Sequence, residues 1–128
     1  MMKSSHKLVA RCAIAAAAWC FAMPAQAAFI CPAYPKEYLA VGGDGLVYTA
    51  VNNGTSNVVT AICSVTANDD GVSPQACTAW YSLLLTLRNT GGHALPHFNE
   101  AALTNSSVKG CAGLNSWEHH VPYFLLAQ

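Results

Sequence analysis

The stretch that decides the fold runs from Ser73 to Gly92 and reads SPQACTAWYSLLLTLRNTGG. Ser73 is a favourable N-cap because its hydroxyl can accept a hydrogen bond from an unpaired backbone N–H. Pro74 suits the first helical position, where no N–H donor is needed. Gly91 can adopt the left-handed conformation that ends a helix. We therefore predict one helix of about four and a half turns between these signals.

One face of this helix is predicted to be buried. Its apolar side chains recur at spacings of three and four residues, which is typical of a helix that packs against a core. The stripe consists of Ala76, Cys77, Trp80, Leu83, Leu84 and Leu87. Tyr81, Leu85 and Arg88 widen the apolar sector on the other side. Two interpretations follow: a helix set deeply against its own sheet, or an interface at these three residues with a partner subunit.

The first 27 residues have the features of a bacterial signal peptide. The n-region is basic, the apolar run 13–23 is too short to span a bilayer, and Ala25-Gln26-Ala27 is a small-x-small cleavage site. We predict a mature chain of residues 28–128, one domain that is periplasmic or secreted. No second apolar stretch is long enough to span a membrane, so we expect no membrane attachment after cleavage.

The charge of the predicted mature chain disfavours two classes of partner. It contains all six acidic residues but only three of the six basic ones, which gives a net charge of −3 with neutral histidines. Nucleic acids and anionic membranes are bound by basic surfaces. We therefore expect neither of them as a partner.

The cysteines predict two disulfide bonds. Four of the six lie beyond the leader: Cys31, Cys63, Cys77 and Cys111. An even number of cysteines in a short exported chain is typical of disulfides rather than of reactive thiols, and each bond can add about 2–4 kcal/mol of stability. Four cysteines allow three pairings, and their pattern in the sequence leaves these pairings open.

The residues around the helix predict an α+β fold with the element order βββαββ. Alternating and β-branched residues indicate strands at 38–41, 46–51, 57–65, 93–98 and 117–126. Residues 28–37 are predicted to form an irregular arm, and Pro96 to lie at an edge or a bulge because proline has no N–H to donate. About five short, twisted, antiparallel strands in an OB-like, partly open barrel around one central helix would bury the apolar stripe.

This order of elements resembles a group of small exported bacterial proteins of unassigned activity. The Ser73–Gly92 stretch is followed, as in that group, by a short strand, a cysteine and a terminal strand. More distantly, the layout is similar to the OB-fold B subunits of AB-type toxins, in which a leucine-bearing helix also runs into a Thr-Gly turn. The toxin resemblance implies a ring-forming, glycan-binding subunit. It assigns no binding residue, since no glycan-binding motif of that family is matched here.

The resemblance to the small bacterial proteins also implies a disulfide pairing. In that group the cysteines that correspond to Cys63 and Cys111 look like the common pair, which leaves Cys31 for Cys77. The second choice is Cys63 with Cys77 and Cys31 with Cys111.

The titratable residues do not predict catalysis, a metal site or a cofactor. His93 and His97 would share one face of a strand, whereas His119 and His120 would point to opposite faces. No Gly-x-Ser-x-Gly elbow, Cys-x2-Cys pair or helical His-x3-His pattern is present. A small hydrolase or metal-binding protein that uses Glu118, His119 and His120 is one alternative to a protein without enzymatic activity.

The aromatic residues are the best indication of binding. Tyr34, Tyr38, Tyr48 and Trp117 lie on the arm or the strands, where exposed rings can stack on sugars or on apolar side chains. The competing interpretation places Trp117 and Tyr123 in the core under the helix. We predict an exported, non-catalytic binding or assembly module that recognises a glycan or a protein as a ring or dimer. The remaining alternative is a monomeric inhibitor or interaction protein.

Overall fold

A computed structural model of the protein describes residues 28–99 and 110–128, so the predicted leader lies outside the described residues. Within these two ranges the chain forms an α+β fold of seven strands, one α-helix and one 3-10 helix. The elements are β1 (Ala28–Ile30), β2 (Leu39–Val41), β3 (Leu46–Asn52), β4 (Asn57–Ser64), α1 (Pro74–Thr90), β5 (Ala94–Asn99), the 3-10 helix (Cys111–Gly113), β6 (Glu118–His119) and β7 (Phe124–Ala127). None of the described helices is long and apolar enough to cross a membrane.

The strands form two open sheets. One has the order β2-β3-β4-β6 and the other the order β1-β5-β7. Neighbouring strands are antiparallel except β4 and β6, which are parallel. The sheets are joined near Ala33, which exchanges backbone hydrogen bonds of 2.8 and 2.9 Å with Ala94 and forms an isolated bridge with Val51 of β3. The chain between β1 and β2 therefore connects the sheets on one side.

The predicted helix is confirmed, including both of its ends. The backbone N–H of Ala76 donates to the Ser73 hydroxyl at 3.2 Å, Pro74 is the first helical residue, and Gly91 ends the helix with φ 76°. The predicted stripe faces inward. Three of its members are buried, and three pack against the core with part of their surface exposed: Cys77, Leu84 and Leu87 in the first group, and Ala76, Trp80 and Leu83 in the second.

The core lies between α1 and the inner faces of the two sheets. The helix contacts β2 and β4 of the larger sheet and β7 of the smaller one. The largest fully buried apolar side chains come from all three layers and from the segment after the 3-10 helix: Phe98, Ile62, Leu84, Leu114, Val47 and Val51. On β5, buried and half-buried residues alternate, so one face of the smaller sheet points into this core and the other points away.

The strands differ from the prediction at both ends of the domain. Part of the predicted arm forms β1, and the predicted terminal strand 117–126 is divided into β6 and β7. These two strands pair in different sheets, β6 beside β4 and β7 beside β5. Pro122 lies between them and has no N–H for a ladder, which is consistent with the interruption.

The prediction that Pro96 lies at an edge or a bulge is wrong, because β5 is the central strand of its sheet. The Pro96 carbonyl accepts a hydrogen bond from the N–H of Cys31, the residue after β1, at 3.3 Å. In an antiparallel ladder the nitrogen and the carbonyl of one residue face the same neighbouring strand, so the Pro96 nitrogen also faces the β1 side. The β1 ladder ends at the preceding pair, Ile30 with His97. The missing N–H of Pro96 therefore falls just past the end of β1, where the ladder needs no donor.

The disulfide pairing implied by the resemblance, Cys63–Cys111 with Cys31–Cys77, is wrong. The second choice is present: Cys31 is bonded to Cys111 and Cys63 to Cys77, each pair with its Cα atoms 5.6 Å apart. The reason lies in the packing of the helix. Cys77 is on its buried face in the first turns, and this face covers β4, where Cys63 is fully buried.

Candidate functional site

Three aromatic residues share the outer face of the four-stranded sheet. Residues directly opposite each other in a ladder point to the same face. Tyr48 is opposite Ala40 and Ala61, and the carbonyl of Tyr38 accepts from the N–H of Ala50. Trp117 reaches this face just before β6, where its N–H donates to the Val59 carbonyl at 2.6 Å. On this face, each tyrosine therefore has a small alanine as its neighbour on the adjacent strand.

The three rings meet at one place, which we call the aromatic corner (Tyr38, Tyr48 and Trp117). The ring centroid of Trp117 lies 5.9 Å from that of Tyr38, with the two planes at 87°, and 6.1 Å from that of Tyr48, with the planes at 56°. Trp117 is 66% exposed. The interpretation that Trp117 and Tyr123 complete the core is therefore wrong, since Tyr123 is exposed as well.

The backbone of Trp117 is in an unfavourable conformation. Its φ of 64° places a bulky residue in the left-handed region, which costs an L-residue about 1–2 kcal/mol. Such strain persists where the surrounding structure enforces it, and it is concentrated at functional sites. Here the hydrogen bond to Val59 and the pairing of β6 with β4 hold the residue in place. The result is a large ring that is presented to solvent.

A carboxylate lies beside the aromatic corner. Asp44 accepts a hydrogen bond from the Tyr48 hydroxyl at 3.3 Å and another from the Leu46 N–H at 3.0 Å. Desolvation raises the pKa of the Tyr48 phenol above its ordinary value, and the negative charge of Asp44 acts in the same direction. A β-carbon at Gly42 would collide with the Asp44 carboxylate in its present position, so a larger residue there would displace this carboxylate.

Two histidine–carboxylate pairs lie at β6. The His119 Nε2 is 2.7 Å from the Asp69 carboxylate, and the His120 Nε2 is 2.7 Å from that of Glu118. His119 is opposite Ala61 in the parallel ladder and so belongs to the face of the aromatic corner. His120 is buried. Hydrogen bonds from His120 and then from the Asn115 side chain lower the pKa of Glu118, against an opposing effect of desolvation.

The alternative hypothesis assigns a catalytic or metal site to Glu118, His119 and His120. Glu118, His119 and His120 are divided between two separate pairs rather than directed at one point. The His93 Nε2 is hydrogen-bonded to the Gln128 side chain at 3.0 Å, at the start of β5 in the other sheet. Among residues 28–99 and 110–128, no three His, Cys, Asp or Glu side chains are grouped as metal ligands.

Tyr34 is the one predicted ligand-facing aromatic that lies apart from the others. Its ring stacks on that of His93, with centroids 5.8 Å apart and planes at 29°. The Tyr34 N–H donates to the Ala50 carbonyl of β3 at 2.8 Å, so its backbone lies beside the four-stranded sheet while its ring contacts His93.

The three residues of the predicted helix interface differ in their exposure and in their contacts. Tyr81 is half-buried and packs against the core, and the Arg88 Nη1 donates to the Leu39 carbonyl at 3.2 Å. Leu85 is 37% exposed. Of these three residues, only Leu85 presents a largely apolar side chain to solvent.

A second surface, on the outer face of the three-stranded sheet, was missed by the sequence reasoning. Ile30 and Phe124 lie opposite His97 on its two sides, and Leu126 lies opposite Leu95. Ile30, Phe124 and Leu126 are all more than 40% exposed. The alternation on β7 could have indicated two faces, but only the pairing with β5 shows which of them points to solvent.

Together these observations define a disulfide-bonded α+β protein with two open sheets and an exposed aromatic corner. No protein family, curated protein or solved structure matches the chain.

Proposed function

We propose that the protein is an exported, non-catalytic binding module that holds a glycan against the aromatic corner. The observation that carries this proposal is Trp117. Its backbone has a strained, left-handed conformation, and its exposed ring lies against the rings of Tyr38 and Tyr48. The negative face of an aromatic ring attracts the polarised C–H groups of a sugar, and the apolar ring gains from the release of water.

The surroundings of the aromatic corner favour a glycan over a purely apolar ligand. The Asp44 carboxylate and the Tyr48 hydroxyl are beside the rings and can bond sugar hydroxyls. The two disulfides are compatible with a periplasmic or extracellular location, where glycans are accessible. An OB-like arrangement of the two sheets, joined at Ala33, is part of the same proposal and rests on the bridges from Ala33 to both sheets.

Two substitutions of Trp117 separate binding from stability. Both Trp117→Ala and Trp117→Gly remove the ring, but only glycine relieves the left-handed strain. We expect the glycine variant to be more stable than the alanine variant by about 1 kcal/mol, as measured by urea unfolding. Both variants should lose retention on a glycan array by tenfold or more.

The control for the array is Tyr34→Ala, which removes an aromatic ring outside the aromatic corner. It should leave glycan retention unchanged. If the wild-type protein is retained by no glycan more strongly than Trp117→Gly is, the proposed function is wrong.

Assembly is a second candidate function, favoured by the exposed outer face of the three-stranded sheet. Ile30, Phe124 and Leu126 form a row of exposed apolar side chains there. The Nε2 atom of His97, in the middle of this face, is buried and has no hydrogen-bond partner within the described ranges. The face is formed by uncharged residues in the described strands, so a second copy could lie against it without opposing like charges.

The mass in solution tests this assembly. We expect a dimer or larger oligomer by light scattering after gel filtration, and we expect Phe124→Glu to reduce it to the monomer because a carboxylate would be buried in the interface. Leu85→Glu places the same charge on the exposed face of α1 and should leave the mass unchanged. A wild-type monomer would rule out this assembly, and dissociation by Leu85→Glu alone would move the interface to the helix.

A further inference from the structure

We propose that the aromatic corner accepts a cationic group, an alkylammonium such as that of an amino sugar; this inference rests on the proposed function. It concerns the chemistry of the group in contact with the rings, which goes beyond the assignment of a glycan. Three observations carry it: the angles between the rings, the carboxylates on the same face, and the position of the basic residues.

The ring geometry provides more than a flat stacking surface. The planes of Tyr38 and Trp117 are nearly perpendicular, and the plane of Tyr48 is tilted by 56° to that of Trp117. At a centroid separation of 5.9 Å, two nearly perpendicular rings leave an angle between their planes in which a small group can contact both rings. A cation is attracted when it lies within about 6 Å of a ring centroid over the face, and several converging faces are the usual means of binding substituted ammonium groups. A flat neutral sugar would need only one exposed face.

Carboxylates flank this space on the same face of the sheet. The Asp44 carboxylate accepts a hydrogen bond from the Tyr48 hydroxyl. The Asp69 carboxylate is 2.7 Å from the Nε2 atom of His119, which lies on β6 directly after Trp117 and Glu118. A positive group at the rings would be attracted by both carboxylates, and it would also gain from the negative ring faces. An anionic ligand would be repelled by the same groups.

The basic residues of the described ranges are fewer than the acidic ones. The described residues contain five acids but only two bases, Lys36 and Arg88. Arg88 lies on α1, which packs on the inner side of the sheet, and its guanidinium donates to the Leu39 carbonyl. Lys36 lies in the exposed turn before Tyr38. The balance of charge therefore favours a cationic ligand on the outer face.

A matched pair of small probes tests the inference on the oxidised protein. Choline carries a permanent positive charge, and 3,3-dimethylbutan-1-ol has the same shape with a neutral carbon in place of the nitrogen. We would follow the Trp117 indole N–H by NMR during titration at low salt. We expect choline to bind about tenfold more tightly than the alcohol, and we expect added salt to weaken only the binding of choline.

Three variants complete the test. Trp117→Gly should abolish the binding of both probes, and Asp44→Asn should weaken choline about threefold without affecting the alcohol. Asp70→Asn, which removes an exposed carboxylate outside the described contacts of the corner, is the control and should change neither affinity.

The outcomes distinguish this inference from the proposed function. Equal affinities for choline and the alcohol, or no response to choline, would overturn the cationic ligand. The glycan array would then still decide the proposed function, because a neutral glycan retained through Trp117 would leave that proposal standing. Loss of both array retention and choline binding would overturn both.

Discussion

The disulfide between Cys31 and Cys111 is expected to contribute about 4.5 kcal/mol to the free energy of unfolding, the largest contribution from one bond in the described residues. The two cysteines are 80 residues apart in sequence, whereas Cys63 and Cys77 are separated by 14. A cross-link restricts the unfolded chain more strongly when it closes a longer loop. The same relation gives about 3 kcal/mol for the shorter loop.

Two single-disulfide proteins measure these contributions separately. The double variant Cys63→Ala with Cys77→Ala retains only the long-loop bond, and Cys31→Ala with Cys111→Ala retains only the short-loop bond. Comparing the oxidised and reduced forms of each variant by urea unfolding removes the effect of the alanine substitutions, since both forms carry them. A larger oxidised-minus-reduced difference for the short-loop bond would contradict the prediction. Peptide mapping under non-reducing conditions checks the pairing itself.

Leu84→Ala is expected to destabilise the protein by about 3–5 kcal/mol. Leu84 is fully buried on the inner face of α1, so truncation removes apolar contacts and leaves a cavity that close packing only partly fills. Urea unfolding of the oxidised protein measures the loss.

The neighbouring residue provides the matched control. Leu85→Ala makes the same chemical change one position along the helix, where the side chain is 37% exposed. We expect a loss of less than about 1 kcal/mol there. Similar losses at the two positions would mean that the helix does not present the face described above.

Local sequence signals account for the parts of the fold that were predicted correctly. Ser73, Pro74 and Gly91 act on their own backbone neighbours, so the helix and its ends could be read without the rest of the chain. The apolar period of the helix likewise identified Leu84 and Leu87 as buried. The β2, β3 and β4 strands were located within one or two residues of their observed bounds for the same reason.

The candidate site was predicted as residue types but not as an assembly. Tyr38, Tyr48 and Trp117 were candidates because exposed aromatics bind ligands. Their convergence depends on a parallel pairing of β6 with β4 across more than fifty residues of sequence. Tyr34 was an equal candidate in the sequence, but its ring stacks on His93, the residue before β5, and is not one of the three rings that meet at Trp117.

By itself, the sequence determined the helix, its buried face, most of the strand segments and the presence of four cysteines outside the predicted leader. These features depend on contacts between residues a few positions apart, which are encoded in local spacing. Only the tertiary structure decided how the cysteines pair, how the last predicted strand is shared between two sheets, and which aromatics meet at Trp117. Each of these depends on pairings between distant residues, and residue spacing alone does not specify which distant partner is chosen.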